Sequence, residues 1–314
     1  MNKKMPVLSF AYIKEERAAP RRRIVQCMAC GRQFRGGHKV CSSDVWHLYL
    51  HNKQTVAEIS NLFHKSASTI KRRLREVKID WIQPSLQGEG VVHIDATYFG
   101  RNTGVLLALE AGSGRLLYMR HISHEHIADY EEAVAYIQSQ GYRIKGIVID
   151  GLQKLFSVLS DYPLQMCQFH LVAIIRRKLT KKPHLPTSRE LLDLAYRLKD
   201  MDKDTFQSEF EQWKAKWKDF LAEKTTNQVT GKIVFTHRRL RSAMVTISFY
   251  IKWLFTYEEV DGMPNTNNLI EGTFTDLKKK LRNHPGMSEE NRKHFMNGFF
   301  LAYAKLHNEN GGGI

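Results

Sequence analysis

The sequence predicts an α/β fold over its larger, C-terminal part: a mixed sheet with helices on its faces, carrying an all-α insertion and preceded by a small helix-turn-helix segment. Three observations carry this. Residues 91–99 and 146–151 are apolar, β-branched runs, and each delivers an aspartate at or near its end, Asp95 and Asp150. Such runs fit strands buried on both faces. Around them the patterns follow the order strand, strand, strand, helix, strand, helix, strand, which builds a mixed sheet. From His170 to about Val260 the periodicity then turns helical.

The elements follow in chain order. Residues 1–26 are read as a polar, basic stretch that ends in Pro20-Arg21-Arg22-Arg23, a poorly ordered arm or the remnant of a module. Cys27-Met28-Ala29-Cys30-Gly31 has the form of half a zinc ribbon, two thiolates on a tight turn with a glycine behind them. Four ligands are needed. No second CxxC precedes this one, and His38 and Cys41 are the remaining candidates. Zn²⁺ at Cys27 and Cys30 and a knuckle without metal both stay open. Residues 1–45 are thus a basic arm with a partial knuckle.

Residues 46–80 read as a helix-turn-helix. Thr55-Val56-Ala57-Glu58 is a capping box, and Val56, Ile59, Leu62 and Phe63 recur at helical spacing. A break at His64-Lys65-Ser66 follows, and Ser66 or Ser68 caps a second helix with Ile70, Leu74 and Val77 inside. Its outer face offers Ser68, Thr69, Lys71, Arg72, Arg73 and Arg75, suited to a DNA major groove. An ordinary helical hairpin with a solvated basic face is the alternative. Residues 81–90 read as a linker.

Residues 91–306 form the main domain. Strands are expected at 91–99, 103–110, 115–121, 142–150 and 164–170, and helices at 127–140 and 152–159. The helical insertion, about 171–260, has helices at 191–198, 205–221 and 238–255. The stripe Phe206, Phe210, Trp213, Trp217, Phe220 is read as core. Residues 307–314 are a disordered tail.

An aspartate at the end of a buried strand costs desolvation free energy unless something compensates. Two such strands ending together suggest a divalent-metal site for phosphate chemistry, though each aspartate singly is equally a turn residue. A third acid, Glu271, lies early in a helix opened by an asparagine cluster, and Lys278 shares its face two turns on. Lys279, Lys280 and Arg282 follow.

Charge agrees with this chemistry. The 314 residues hold 48 Lys and Arg against 32 Asp and Glu, net +16, and residues 1–90 hold 17 against 7. The surplus points to a polyanion, most simply nucleic acid. Four cysteines make no disulfide framework, which fits a reducing cytosol. No signal-peptide core and no run of roughly 18 apolar residues is present, so no membrane partner is expected.

The chain resembles the DDE transposases of the Mutator-related class of bacterial insertion sequences. The resemblance rests on Asp95, on Asp150-Gly151, on Cys167-Gln168-Phe169-His170, and on Asn268-Leu269-Ile270-Glu271 with Lys278. It covers roughly residues 88–305. It implies a ribonuclease H-like fold and metal-dependent DNA cleavage and strand transfer. Asp95, Asp150 and Glu271 would hold two Mg²⁺ (or Mn²⁺) ions about 4 Å apart. Lys278, Lys279 and Arg282 would contact phosphates, with Cys167, His170 and Asn268 in support. Implied partners are double-stranded DNA (terminal inverted repeats and target) and a second copy of the chain. The implied setting is the bacterial cytoplasm, at the nucleoid. The competing readings are a non-catalytic, transposase-derived DNA-binding protein and another ribonuclease H-like nuclease.

Overall fold

The computed structural model describes residues 24–26, 33–35, 40–79, 81–226, 228 and 231–308. Cys27, Cys30, His38 and the arm before residue 24 lie outside the described residues, as do 309–314. The chain divides into two units, residues 1–78 and 79–314.

In the first unit, β1 (Ile24–Gln26) and β2 (Gln33–Arg35) form an antiparallel hairpin. Three helices follow: α1 (Ser42–Leu50), α2 (Val56–Phe63) and α3 (Ala67–Glu76). Val45, Leu50, Ile59, Ile70 and Leu74 are buried. The capping box forms: Thr55 Oγ1 accepts from Glu58 N, and the Glu58 carboxylate accepts from Thr55 N. His64 ends α2 at φ 49°, and Ser66, not Ser68, caps α3 by accepting from Thr69 N. The sequence reading missed α1, whose buried residues are only Val45, Tyr49 and Leu50. That is too little pattern to separate it from the arm.

The second unit is built on a five-stranded sheet of β3 (Glu89–Tyr98), β4 (Gly104–Glu110), β5 (Leu116–Ile122), β6 (Arg143–Ile149) and β7 (Leu164–Met166), in the order β5-β4-β3-β6-β7. β3, β4 and β5 are antiparallel neighbours, while β6 and β7 run parallel to β3. Helix α4 (Ile127–Ser139) crosses from β5 to β6, and the short α5 (Leu155–Val158) from β6 to β7. Then come α6 (Gln168–Leu179), α7 (Pro186–Arg197), α8 (Lys203–Lys216) and α9 (Lys218–Ala222). The hairpin β8 (Lys224–Thr226) and β9 (Ile233–Phe235), α10 (Arg238–Tyr250), α11 (Asn268–Arg282) and α12 (Glu289–Asn308) complete it.

Four expectations need correction. The strand expected at 164–170 ends at Met166. Leu171, Ile175 and Leu179 are buried at intervals of four, so helical periodicity claims the chain from Gln168. The insertion is not all-α, because β8 and β9 pair within it. Residues 81–90 are not a free linker. Leu86 is buried in the main core, and Gln83 bonds both N–H and C=O of Met119 at the sheet edge, which covers groups an edge strand leaves open. Lastly, α12 continues to Asn308, into the stretch expected as a tail. The aromatic stripe does form core: Phe206, Phe210 and Trp213 are buried. Among the described residues no helix is long and apolar enough to cross a membrane.

Candidate functional site

β3 is buried on both faces, and its two faces meet different partners. Val92 and Ile94 belong to the main core, whereas Val91 packs with Val148 and Met263. His93 and Asp95 share the face of Val91, by the two-residue alternation of a strand. The parallel register pairs Val92 with Ile147 and His93 with Val148. Two residues further along each strand stand Asp95 and Asp150, on the same face. Neighbouring strands lie roughly 4.8 Å apart, so the sheet itself sets these carboxylates side by side.

Glu271 reaches them from α11, which lies against β3. The rungs between the two are legible. His93 Nδ1 meets Asn267 Oδ1 at 2.5 Å, and ligand atoms of Asp95, Glu271 and His170 lie within 4.8 Å of one another. Two strand residues advance about 6.6 Å and four helical residues about 6 Å, so His93 opposite Asn267 puts Asp95 opposite Glu271. Asn267 is held in turn: its N–H donates to Cys167 Sγ at 3.2 Å. His170, in the first turn of α6, pairs through Nε2 with Glu271 Oε1 at 3.0 Å.

The electrostatics separate the three acids. Burial pushes Asp95 up to about 8, with the Asp150 charge adding to it. Burial also raises Asp150. Glu271 is lowered, chiefly by its bond to His170. Burial disfavours charge on His170, but Cys167 and Glu271 outweigh it and raise the imidazole above its ordinary value. Burial likewise lowers His93, to about 4, so it sits neutral in its bond to Asn267. These directions follow from desolvation opposing charge and opposite charge restoring it.

The structure therefore brings together Asp95, Glu271 and His170, with Asp150 beside Asp95. Asp150 is outside the tightest cluster, and its Oδ1 accepts from Leu152 N at 3.2 Å. Cys167 is buried at the start of α6. Asn268 is exposed and does not join the site; the preceding Asn267 does. Sequence reading missed His93, Asn267, Glu125 and Tyr130. Tyr130 donates to Glu125 at 2.5 Å, and the Asp150 charge acts on both. The available signal for His93 was a histidine two residues before Asp95 in an otherwise apolar strand.

Among the basic residues, Lys278 is close enough to Glu271 to lower it. Lys279 and Arg282 are exposed, but Lys280 turns toward Asp276 and the Phe299 ring. On α3, Ser68, Lys71, Arg72 and Arg75 are exposed and Thr69 is half-buried. Arg73 is a correction: it folds back onto Glu76 at 2.7 Å, with its side chain 21% exposed. A cavity of about 780 Å³ lies between α7 and α8 and is lined by none of the three acids.

No protein-family model matches the sequence, and no curated protein matches it. Among solved structures, the chain is similar to the Drosophila P element transposase strand transfer complex at 12% identity, covering 78% of this chain and 82% of that one, with a TM-score of 0.34. It is also similar to a chain of the simian T-cell lymphotropic virus intasome in complex with PP2A regulatory subunit B56 gamma, at 12% identity and a TM-score of 0.22, covering 64% of each chain. This chain thus spans about two thirds of that intasome chain's length.

Proposed function

We propose that this chain is a DNA transposase of the DDE type, cutting DNA at element ends and joining them to a target. The observation that supports it is the placement of Asp95 on β3 beside Asp150, which directly follows the parallel strand β6, with Glu271 brought over Asp95 by α11. All three are oxygen donors, the set Mg²⁺ or Mn²⁺ prefers. Asp95 and Asp150 are both held above their usual range by burial, a condition that a bound divalent cation relieves. When bound, such ions supply Lewis acidity at a phosphodiester and activate the attacking hydroxyl.

The chain's own residues do the rest. His93 and Asn267 fix the register of α11 on β3, Cys167 anchors the start of that helix, and His170 orients Glu271. Lys278, on the same helix face, binds a phosphate near the cut, and Lys279 and Arg282 bind the flanking backbone. The exposed face of α3, with Ser68, Lys71, Arg72 and Arg75, reads the ends in the major groove. Two copies act together at two ends, at the nucleoid of a bacterial cell. The Mutator-related class is the family reading that fits the motif order.

The test is Mg²⁺-dependent nicking and joining of supercoiled and end-containing DNA, with Asp150→Ala as control. Wild type is expected to nick and to form joined products, and the variant to do neither. Equal behaviour of the two overturns the enzyme and leaves a DNA-binding protein. Nicking without joined products overturns transposition and leaves a nuclease.

A further inference from the structure

Helices α6 and α10 pack together, α6 starting and α10 finishing near the acids. At one end, His170 of α6 touches Glu271, and Tyr250 of α10 donates to Gly151 O at 2.5 Å, beside Asp150. At the other end, Lys178 of α6 donates to Ser242 of α10 at 2.5 Å. Gly151 permits the near contact: a Cβ there would meet Ile174 Cδ1 of α6 at 2.7 Å. Both helices thus start or finish at the acids and share a remote rim.

That rim is basic. Arg176 and Arg177 on α6, Lys181 and Lys182 just after it, and Arg238 and Arg239 opening α10 are all exposed. No Asp or Glu occurs in residues 171–189 or 224–257. Among the described residues none of the six is ion-paired. Composition alone does not explain this, because most basic residues of α7 and α8 in the same block are matched, Arg189 excepted. Arg197 pairs with Asp193 and Glu209, Lys216 with Glu190, and Lys214 with Glu211. An unneutralised cationic rim tied mechanically to the acids suits a polyanion that also enters the site.

We infer that the rim formed by the remote ends of α6 and α10 is a further duplex-DNA contact, holding phosphates of the same DNA whose backbone enters the acid cluster. This rests on the proposed function and adds where the duplex runs. From His170 to Lys178 is about 12 Å along a helix, and from Tyr250 to Arg238 about 18 Å. At 3.4 Å per base pair, the contacts fall roughly 4 to 5 base pairs from the reacting phosphodiester.

The experiment measures binding of the full chain to a mixed-sequence duplex against salt concentration. Each neutralised phosphate contributes roughly 0.9 to the slope of log K on log salt. Replacing Arg176, Arg177, Arg238 and Arg239 together with alanine is expected to reduce the slope by about 2 to 4 and low-salt affinity at least tenfold. The paired control Lys214→Ala with Lys216→Ala is expected to change neither. The variant is scored with its thermal unfolding matched to wild type, and glutamine replaces alanine at the four positions if the first set does not fold. Duplex binding with an unchanged slope overturns the rim while leaving the proposed function standing. So does rim-dependent binding to phosphatidylserine vesicles with no effect on DNA. Wild type failing to bind any duplex overturns the proposed function itself.

Discussion

The site has two halves built by different means. Asp95 and Asp150 stand on adjacent strands of one sheet, and the backbone ladder between β3 and β6 fixes their separation. Glu271 stands on a helix held to that sheet by side chains, His93 to Asn267 and Cys167 to the Asn267 N–H. Their electrostatics differ in the same sense. The strand acids are held high by burial, while Glu271 keeps 39% side-chain exposure and is lowered by His170. The geometry of the acid cluster thus depends on the strands for precision and on α11 for completion. Each half should fail in its own way when perturbed.

The largest effect is expected from the strand half. On the proposed function Asp95→Asn removes a cation ligand, and DNA nicking should fall by roughly 10³-fold or more. The same substitution has a stability signature in metal-free protein. Asp95 has a folded pKa of about 8 against roughly 3.9 unfolded. Between those values folding takes up a proton, so this group's contribution falls as pH rises from about 4 to about 8. His170, raised by Cys167 and Glu271 against its burial, acts in the same direction, losing its contribution as pH rises through its folded value. Glu271, held low by His170, acts oppositely and loses its contribution as pH falls. Thermal unfolding of wild type in chelator should therefore drop between pH 5 and pH 8. Asp95→Asn should be less sensitive, gaining on wild type by at most about 1.4 kcal/mol per pH unit. Parallel curves for the two proteins would show that the strand acids are not strained by burial.

The helix half should give a smaller, graded loss. Asn267→Ala leaves all three acids in place and removes the rung that sets α11 against β3. Supporting residues of this kind typically cost 10- to 100-fold in metal affinity or activity. The Mg²⁺ concentration giving half-maximal nicking should rise, and added Mg²⁺ should restore part of the rate. Loss of the buried bond should cost about 1 to 3 kcal/mol in unfolding. An unchanged Mg²⁺ midpoint would mean that α11 is registered by packing alone, through Ile270, Phe274 and Leu277, all buried.

The same division explains what could be read from the sequence. The strand half was legible, because β-branched runs ending in acids carry a local signal, and Asp95 and Asp150 stand where those runs place them. The capping box at Thr55 and Glu58 was legible for the same reason. What failed was non-local or one residue wide. Asn268 was chosen over Asn267 because nothing in an asparagine cluster says which member faces inward. Burial against His93, 174 positions away, decides it. Helix α6 was read as strand through His170 because the apolar run of β7 passes into it without a break. Arg73 looked like its neighbours on α3 until Glu76, three residues on, claimed it. The stretch of half-buried Gln83 and buried Leu86 read as a linker because its partners lie on β5 and in the sheet core.

The mildest prediction tests whether α11 does more than present a carboxylate. Lys278 lies near Glu271, and its charge lowers that acid, so Lys278→Ala removes both the proposed phosphate contact and a small part of that compensation. Because Glu271 keeps its stronger bond to His170, the second loss should be slight. A single phosphate contact weakens binding uniformly and reduces the salt slope by roughly 1. Nicking should therefore fall several-fold at limiting DNA and recover at saturating DNA, with the Mg²⁺ midpoint unmoved. Lys280→Ala, by contrast, removes a side chain already turned toward Asp276 and Phe299, and should leave the salt slope unchanged. A shifted Mg²⁺ midpoint in Lys278→Ala would tie this lysine to the acid cluster instead of the proposed phosphate contact, and would sharpen where along α11 one proposed role gives way to the other.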